Sequence, residues 1–278
     1  LYFCDSDDYL ELDALEKLVQ AGERENAEVV FGDVAMLSGE KRELLHFHAE
    51  PFVTEDRAVL DKLVMTVFGR RYCHLPPETG PAKCCYGGPW NKIARRELLE
   101  REGIRFDLSV RGICDDLLYS VHLFAGAKRV AYEPVVIYDY RLLGNSITHT
   151  YKPQIIDINA AIFAAWERFM AKYGPDGRFR QAYHVFVIRR LKAMLGMCFF
   201  SQKNPQPMKA QYRQLEQLLQ QRVEGVLPGQ KFWMVSALDE LCIRLEEERP
   251  NRKLGDLLTD NFAQFRKQDQ TVTLCKTA

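Results

Sequence analysis

The 278-residue sequence has no excess charge of either sign, because 38 Lys and Arg residues balance 38 Asp and Glu residues. Without a basic field to attract phosphates, a nucleic-acid partner is not predicted. The sequence also lacks an apolar run of about 18 residues and a basic-then-apolar leader, so neither a membrane-spanning helix nor secretion is expected. We therefore expect any partner to be recognised by a local site.

A regular cysteine pattern is absent too. The eight cysteines are scattered without the spacing of a disulfide framework, which predicts a reducing, cytoplasmic location. Cys73-His74 and Cys84-Cys85 form two adjacent pairs, without the gap inside each pair that zinc knuckles have. Reduced loop thiols are favoured over a zinc site, which stays the alternative.

The apolar periodicity divides the chain into two predicted parts. Residues 1–151 mix helical and strand patterns, with helices expected over 11–24, 54–67 and 113–125 and strands over 27–37, 42–49, 128–132 and 135–140. Beyond residue 152 only helical periodicity remains. This predicts an α/β domain over 1–151 and a helical C-terminal domain over 152–278. The basic amphipathic stretch 178–203 faces a core or, as the alternative, lies on an anionic membrane.

The first ten residues form the most informative stretch. A short apolar run ends in three carboxylates, Asp5, Asp7 and Asp8, and this predicts a buried strand followed by a charged turn. Open α/β sheets bind ligands at the carboxyl ends of their strands, and oxygen ligands suit a divalent cation that carries a diphosphate. The alternative is that these residues only cap the next helix.

A second acidic pair, Asp115 and Asp116, lies at the start of a predicted helix. One acidic cluster can hold a metal while the other accepts a proton from a sugar hydroxyl. The alternative for this pair is simple compensation of the helix dipole.

Polar and aromatic candidates lie between and after these clusters. Trp90 is a candidate for stacking on a sugar ring, and Asn91 and Lys92 for binding hydroxyl or phosphate oxygens. The alternative is a buried Trp that begins a strand or short helix. Further along, Arg141 is a candidate diphosphate contact, and His149 is either a metal ligand or a structural histidine.

In their order along the chain, these motifs resemble those of bacterial family 2 glycosyltransferases of the GT-A type, which build surface polysaccharides. The matching stretches are Phe-Cys-Asp-Ser-Asp-Asp, Gly-Pro-Trp-Asn-Lys, Asp-Asp-Leu-Leu-Tyr, Tyr-Asp-Tyr-Arg and Asn-Ser-Ile-Thr, all within residues 1–151. The resemblance implies a partial GT-A, Rossmann-like domain. The family's nucleotide-binding half, which precedes the Asp-x-Asp strand, has no match, so the resemblance also implies an N-terminal truncation.

The resemblance assigns roles to the candidate residues. Asp5 and Asp7 would hold Mn²⁺ or Mg²⁺ and, with Asp8 adjacent, the nucleotide diphosphate. Asp116 would be the catalytic base of an inverting sugar transfer, with Asp115 in place of the usual Glu. Trp90, Asn91 and Lys92 would line the donor or acceptor pocket.

The implied partners are a nucleotide-sugar donor, with a UDP-sugar favoured, and a glycan or lipid-linked acceptor. Peripheral contact with the inner face of the plasma membrane is also implied. Two alternatives stay open. One is a metal-dependent phosphotransferase, and the other is a non-catalytic helical interaction module.

Overall fold

A computed structural model describes residues 1–68, 87–110, 112, 114–142 and 155–180, with positions 182, 183, 186, 190, 205–207 and 210. The predicted helices beyond residue 180, His149 and the two Cys pairs near residues 73 and 85 lie outside, or almost wholly outside, these ranges. The strands are β1 (Tyr9–Leu10), β2 (Val29–Ser38), β3 (Lys41–Leu45), β4 (Phe52–Thr54), β5 (Lys92–Ala94) and β6 (Val130–Arg141). The helices are α1 (Ala14–Arg24), α2 (Arg57–Phe68), α3 (Arg96–Glu102), α4 (Asp115–Gly126) and α5 (Ile155–Tyr173).

The six strands form one mixed sheet around a parallel pair, β2 and β6. Strand β2 pairs antiparallel with β5 along its first half and with β3 along its second half. Strand β6 pairs antiparallel with β4 near its start and with β1 near its end. The ends of β2 and β6 therefore lie side by side, with the residues of β1 next to the end of β6. The predicted α/β class is confirmed.

The two strands predicted over 128–132 and 135–140 are one continuous strand, β6, with an irregularity in its middle. Gly32 of β2 pairs with Glu133, whereas the next residue, Asp33, pairs with Val136, so Pro134 and Val135 bulge out of register. Proline is tolerated at a bulge because it has no N–H to donate there. A Cβ on Gly32 would lie 2.9 Å from the carbonyl oxygen of Val135, which explains the glycine.

Helix α1 packs on the sheet through a face made mostly of small residues. Its buried residues are Ala14, Leu18, Ala21 and Gly22. Leu12, just before the helix, and Leu15 and Val19 within it are exposed. Small side chains let a helix approach a sheet closely, so most of the contact face of α1 is small.

The apolar run before the acidic turn is not the buried strand that the sequence predicts. Tyr2 forms an isolated antiparallel bridge with Ile93, and Leu1 and Cys4 are exposed. The run lies along β5, at an edge of the sheet, and therefore buries little of its apolar surface. The regular strand, β1, comes after the carboxylates.

Contacts group Leu1–Thr150 with Gln154–Val185 in one compact unit, which includes α5. Within it, Phe68 of α2 packs against Trp166 and Phe169 of α5, with ring centroids 4.2 and 6.1 Å apart. A second unit consists of Tyr151–Pro153 and Phe186–Ala278. The division predicted after residue 151 stays a prediction. None of the described helices is both long and apolar enough to cross a membrane.

Candidate functional site

The acidic turn is fastened to the end of β6 by the carboxylate of Asp8. Oδ2 of Asp8 accepts a hydrogen bond from the Tyr138 hydroxyl at 2.8 Å, and Oδ1 accepts one from the backbone N–H of Arg141 at 2.7 Å. The Tyr138 hydroxyl in turn accepts the backbone N–H of Asp5 at 3.1 Å. Both oxygens of Asp8 therefore serve the protein's own structure, which differs from the diphosphate role expected from the sequence.

Asp5 and Asp7 are the exposed carboxylates of this turn. Burial of part of Asp5, followed by the negative charges of Asp8, Asp7 and Asp115, raises the pKa of its carboxyl above the usual value. The guanidinium of Arg141 donates to the carbonyl oxygen of Asp7 at 3.1 Å and lies over the ring of Tyr9. A cation therefore stands beside the acidic turn, and the diphosphate contact expected of Arg141 stays a prediction.

Trp90 is buried and stacks on a protein ring. Its indole lies parallel to the ring of Tyr138, with centroids 4.9 Å apart and planes inclined by 11°. The hydroxyl of Tyr2 donates to the carbonyl oxygen of Trp90 at 2.5 Å. The residue belongs to a 3₁₀ turn, Pro89–Asn91, that leads into β5. This matches the alternative of a buried Trp that begins a short element, and leaves little of the indole for a sugar.

Asn91 and Lys92 follow Trp90 and are also buried. Nζ of Lys92 donates to the carbonyl oxygen of Gly88, and to Oδ1 of Asn91 at 2.5 Å. Nδ2 of Asn91 is buried and has no hydrogen-bond partner among the residues that the structure describes. A buried amide donor is normally satisfied, so this atom is a candidate contact for an oxygen from outside the described residues.

The second acidic pair begins helix α4. Asp115 accepts the backbone N–H of Gly112 at 2.9 Å through Oδ1. Asp116 accepts the N–H of Leu117 at 2.7 Å through Oδ1. Burial, reinforced by the charge of Asp115 and opposed by Lys92 and by the Leu117 N–H, raises the pKa of Asp116 to about 6. Charge compensation of the helix dipole would not require such a shift.

The two acidic clusters come close together in the fold. Phe3, just before the acidic turn, packs edge-on against Tyr119, one turn after Asp115, with centroids 5.2 Å apart. The ring of Phe106 stacks on the ring of Tyr119, with centroids 4.5 Å apart. The charge of Asp115 also acts on Asp5. Carboxylates more than one hundred residues apart in sequence thus face a common region.

The described residues do not assemble a complete metal site on their own. Within them, no group of three or more His, Cys, Asp or Glu side chains is arranged to hold an ion. Asp8 is engaged elsewhere, and His149 lies outside the described ranges. Asp5 and Asp7 still fit a metal that arrives with its substrate, because Mg²⁺ is commonly held by one or two carboxylates and substrate phosphates.

Three residues of this region were missed in the sequence. Tyr138, Tyr2 and Ser120 each position a predicted site residue or its turn, through hydrogen bonds or ring stacking. Their side chains carry no charge, and the Tyr-Asp-Tyr-Arg stretch that includes Tyr138 was interpreted through its arginine. Period-two alternation in Tyr138-Asp139-Tyr140 does mark Tyr138 as inward-facing, although it cannot reveal the partner.

Comparison with known proteins finds a relative among glycosyltransferases. The chain is 27% identical over 215 residues to an uncharacterized glycosyltransferase, EpsJ, of Bacillus subtilis (strain 168). The resemblance to glycosyltransferases is thus confirmed. The match covers 77% of the chain but 58% of EpsJ, so the chain spans less than two thirds of this relative. No family model matches the chain.

Solved structures of S. aureus TarS 1–349 also align with the chain. The complex with UDP-GlcNAc matches 79% of the chain and 56% of its own length, at 16% identity and a TM-score of 0.49. The complex with UDP matches 96% of the chain and 66% of its own length, at 15% identity and the same TM-score. At these values the likeness assigns no activity to the chain.

Proposed function

We propose that this chain carries the catalytic carboxylates of an inverting glycosyltransferase that moves a sugar from a nucleotide-diphosphate sugar to an acceptor hydroxyl. One observation carries the proposal: two distant acidic clusters meet, and one member, Asp116, has a pKa raised to about 6. Perturbed carboxyls in such a cluster are typical of functional sites. The sequence similarity to a glycosyltransferase supports the same conclusion.

Asp116 is the base in this mechanism. A carboxyl with a pKa near 6 is largely ionised at neutral pH, yet is basic enough to accept a proton as the acceptor oxygen attacks. Because Oδ1 accepts the Leu117 N–H, the proton goes to Oδ2. The acceptor oxygen forms its bond to the anomeric carbon while the bond to the diphosphate oxygen breaks on the opposite face. The configuration is therefore inverted.

Asp5 and Asp7 serve the leaving diphosphate. They would hold Mn²⁺ or Mg²⁺, with His149 as a further candidate ligand, and the bound ion would supply positive charge against the departing nucleotide. The guanidinium of Arg141, beside the carbonyl of Asp7, adds a second positive charge at the same place. Asp8 keeps the turn in position by its bonds to β6.

The donor that we propose is a UDP-sugar, and the acceptor is a glycan or a lipid-linked glycan. The implied place is the cytoplasmic side, with peripheral contact at the inner face of the plasma membrane. These assignments follow from the resemblance in sequence alone. They add no residue to the site.

Calorimetric titration of UDP into the chain, with Mn²⁺ and then with EDTA, tests donor binding. We expect heat of binding with the metal, and its loss in Asp7→Asn, since Asp7 provides a charged ligand. Asp139→Asn is a matched control, because Asp139 contacts Arg42 rather than the turn. Absence of UDP binding in every condition, both in this chain and in a form that also carries the nucleotide-binding half of the family, would favour the interaction module over the enzyme.

Turnover gives the second test. Once an acceptor that supports transfer has been identified, NMR gives the anomeric configuration of the product, and inversion is expected. Asp116→Asn should abolish transfer while UDP still binds, because the asparagine cannot take the proton. Normal turnover in this variant would exclude Asp116 as the base. Release of free phosphate without sugar transfer would point to a phosphotransferase.

A further inference from the structure

Lys92 is a charged residue in the interior of the site, only 2% exposed. Lysine is almost never fully buried unless its charge is paired. Nζ lies among oxygen atoms: it donates to the Gly88 carbonyl, to Oδ1 of Asn91 at 2.5 Å and to Oγ of Ser120 at 3.5 Å. The sequence predicts a contact with substrate oxygens, but these donors are directed at the protein.

Ser120 joins this cluster to the helix that carries Asp116. Its hydroxyl donates to the carbonyl oxygen of Gly87 at 2.7 Å, while it accepts from Lys92. Ser120 is four residues after Asp116, so the two side chains lie on the same face of α4. The Gly87-Gly88 turn is thus fastened to α4 one turn away from the proposed base.

The space at this turn is closely filled. A Cβ on Gly88 would lie 2.5 Å from Cε2 of Trp90, and a Cβ on Gly87 would lie 2.0 Å from Cδ2 of Leu117. Glycine is the residue that permits such close approach of backbone and side chain. The turn is therefore packed against both the indole and α4, and its Gly88 carbonyl accepts from the Lys92 ammonium.

The ammonium also acts on Asp116 through its charge. Burial and the neighbouring Asp115 disfavour the Asp116 anion, and Lys92 favours it. Asp115 comes from α4 itself and Lys92 from β5, so these charges act from the two elements that meet here. Asp5, in the acidic turn, interacts in turn with Asp115.

We propose that Lys92 is a positioning residue of this site, whose ammonium fixes the Gly87-Gly88 turn against α4 and places a positive charge beside the helix that carries Asp116, without touching substrate. The role of Asp116 as base rests on the proposed function. The electrostatic action of Lys92 on Asp116 does not, because it requires neither donor nor acceptor.

The test is the titration of the Asp116 carboxyl carbon, followed by NMR in the chain without ligand and assigned by comparison with Asp116→Asn. In Lys92→Met the titration midpoint should move up by roughly one pH unit, since a nearby opposite charge has been removed. Where transfer is measurable, the rising limb of kcat against pH should move up by the same amount. Lys92→Arg keeps the positive charge, so its Asp116 midpoint should stay close to that of the wild type.

Ser120→Ala is the matched control, because it removes the bond to Gly87 and keeps the ammonium. It should leave the Asp116 midpoint in place. Lys92→Gln serves as a second neutral variant if Lys92→Met does not fold, as judged by circular dichroism. An unchanged midpoint in a folded neutral variant, an equal shift in Ser120→Ala, or loss of folding in both neutral variants would overturn the proposal.

The two proposals can fail separately. A wild-type chain that transfers no sugar, but whose Asp116 midpoint rises in Lys92→Met, would contradict the proposed function and keep the role of Lys92. A wild-type chain that transfers sugar, but whose Asp116 midpoint does not move in Lys92→Met, would keep the proposed function and contradict the role of Lys92.

Discussion

The Tyr138 hydroxyl stands between two residues of the acidic turn: it donates to Oδ2 of Asp8 at 2.8 Å and accepts the backbone N–H of Asp5 at 3.1 Å. The same ring stacks on Trp90. One side chain of β6 thus connects the acidic turn to the segment that leads into Lys92. The position of the carboxylates depends on a residue that has no charge of its own.

Tyr138→Phe should therefore loosen the acidic turn while keeping the ring stack. Loss of the hydroxyl leaves Oδ2 of Asp8 and the N–H of Asp5 without this partner, at a cost of about 1 to 2 kcal/mol in the free energy of unfolding. We also expect weaker binding of UDP with Mn²⁺, because Asp5 is less well placed. Urea unfolding and calorimetry measure the two effects.

Tyr9→Phe is the control for this change. Tyr9 is 55% exposed, and its ring lies under the Arg141 guanidinium, a contact that phenylalanine keeps. Its stability and UDP affinity should stay near those of the wild type. Equal behaviour of Tyr138→Phe and Tyr9→Phe would contradict a positioning role for the Tyr138 hydroxyl.

Asp116→Asn should stabilise the chain at pH 8. Burial raises the pKa of Asp116 from 3.8 to about 6, so the folded state holds its proton in a range where the unfolded state has released it. This contribution to stability is greatest below pH 3.8 and declines as the pH rises to 6, after which the buried anion disfavours folding. Because part of the side chain reaches solvent, we expect a gain of about 1 to 2 kcal/mol.

The gain in the free energy of unfolding of Asp116→Asn over wild type should shrink as the pH falls from 6 towards 4. Urea unfolding at several pH values measures this gain. Glu97→Gln is a suitable control, because Glu97 is an exposed residue of the first turn of α3. The difference that this variant shows gives the background against which the change in Asp116→Asn is compared. A constant difference for Asp116→Asn would mean that the carboxyl is not perturbed in the folded chain.

Much of the fold could be predicted from periodicity. Strand β2, its hairpin with β3, and helices α1, α2 and α4 lie close to their expected positions. These elements have strong local signals, such as the run Val29-Val30-Phe31 and the turn at Gly39. What local signals cannot give is packing distance: Leu15, Leu18 and Val19 of α1 are all apolar, but only Leu18 is buried, together with Ala14, Ala21 and Gly22.

For the site, the sequence predicts which carboxylates are present, but not which of them bind the protein's own groups and which stay exposed. Asp5, Asp7 and Asp8 are equivalent in a one-dimensional pattern. Asp8 differs because the end of β6 offers it a hydroxyl and an N–H, contacts that span more than 130 residues. Trp90 and Lys92 have side chains that suit a ligand, but both are buried and contact other parts of the protein.

His48 should make the chain less stable in mild acid. Burial lowers the pKa of His48 from 6.5 to about 4, so between these values the unfolded state binds a proton that the folded state excludes. Stability from this residue is fully present above pH 6.5 and is lost as the pH falls towards 4. The loss for this residue should reach about 2 kcal/mol near pH 4.

His48→Phe tests this dependence. Phenylalanine keeps a ring beside Phe52 and Tyr132, whose centroids each lie 4.9 Å from that of His48. Thermal unfolding between pH 7 and 4 should show a shallower acid limb in the variant. Part of the slope will remain, because burial also lowers the pKa of His122 to about 4. An identical slope would place the acid sensitivity elsewhere.

Asp33 is a buried carboxylate whose partners predict a sharp contrast between two substitutions. Its side chain is 0% exposed and accepts the Phe47 N–H at 2.8 Å and the Tyr132 hydroxyl at 2.7 Å through Oδ1, while Oδ2 lies 2.7 Å from Nδ1 of His46. Asp33→Ala leaves the buried N–H of Phe47 without this acceptor, and should cost about 3 kcal/mol in the free energy of unfolding. Asp33→Asn keeps Oδ1 as the acceptor and presents Nδ2 to His46, whose neutral ring can accept, so it should cost under about 1 kcal/mol. Urea unfolding at pH 7.5 separates the two variants, and equal losses would mean that the charge of Asp33, rather than its hydrogen bonds, holds the segment after β3 on the sheet.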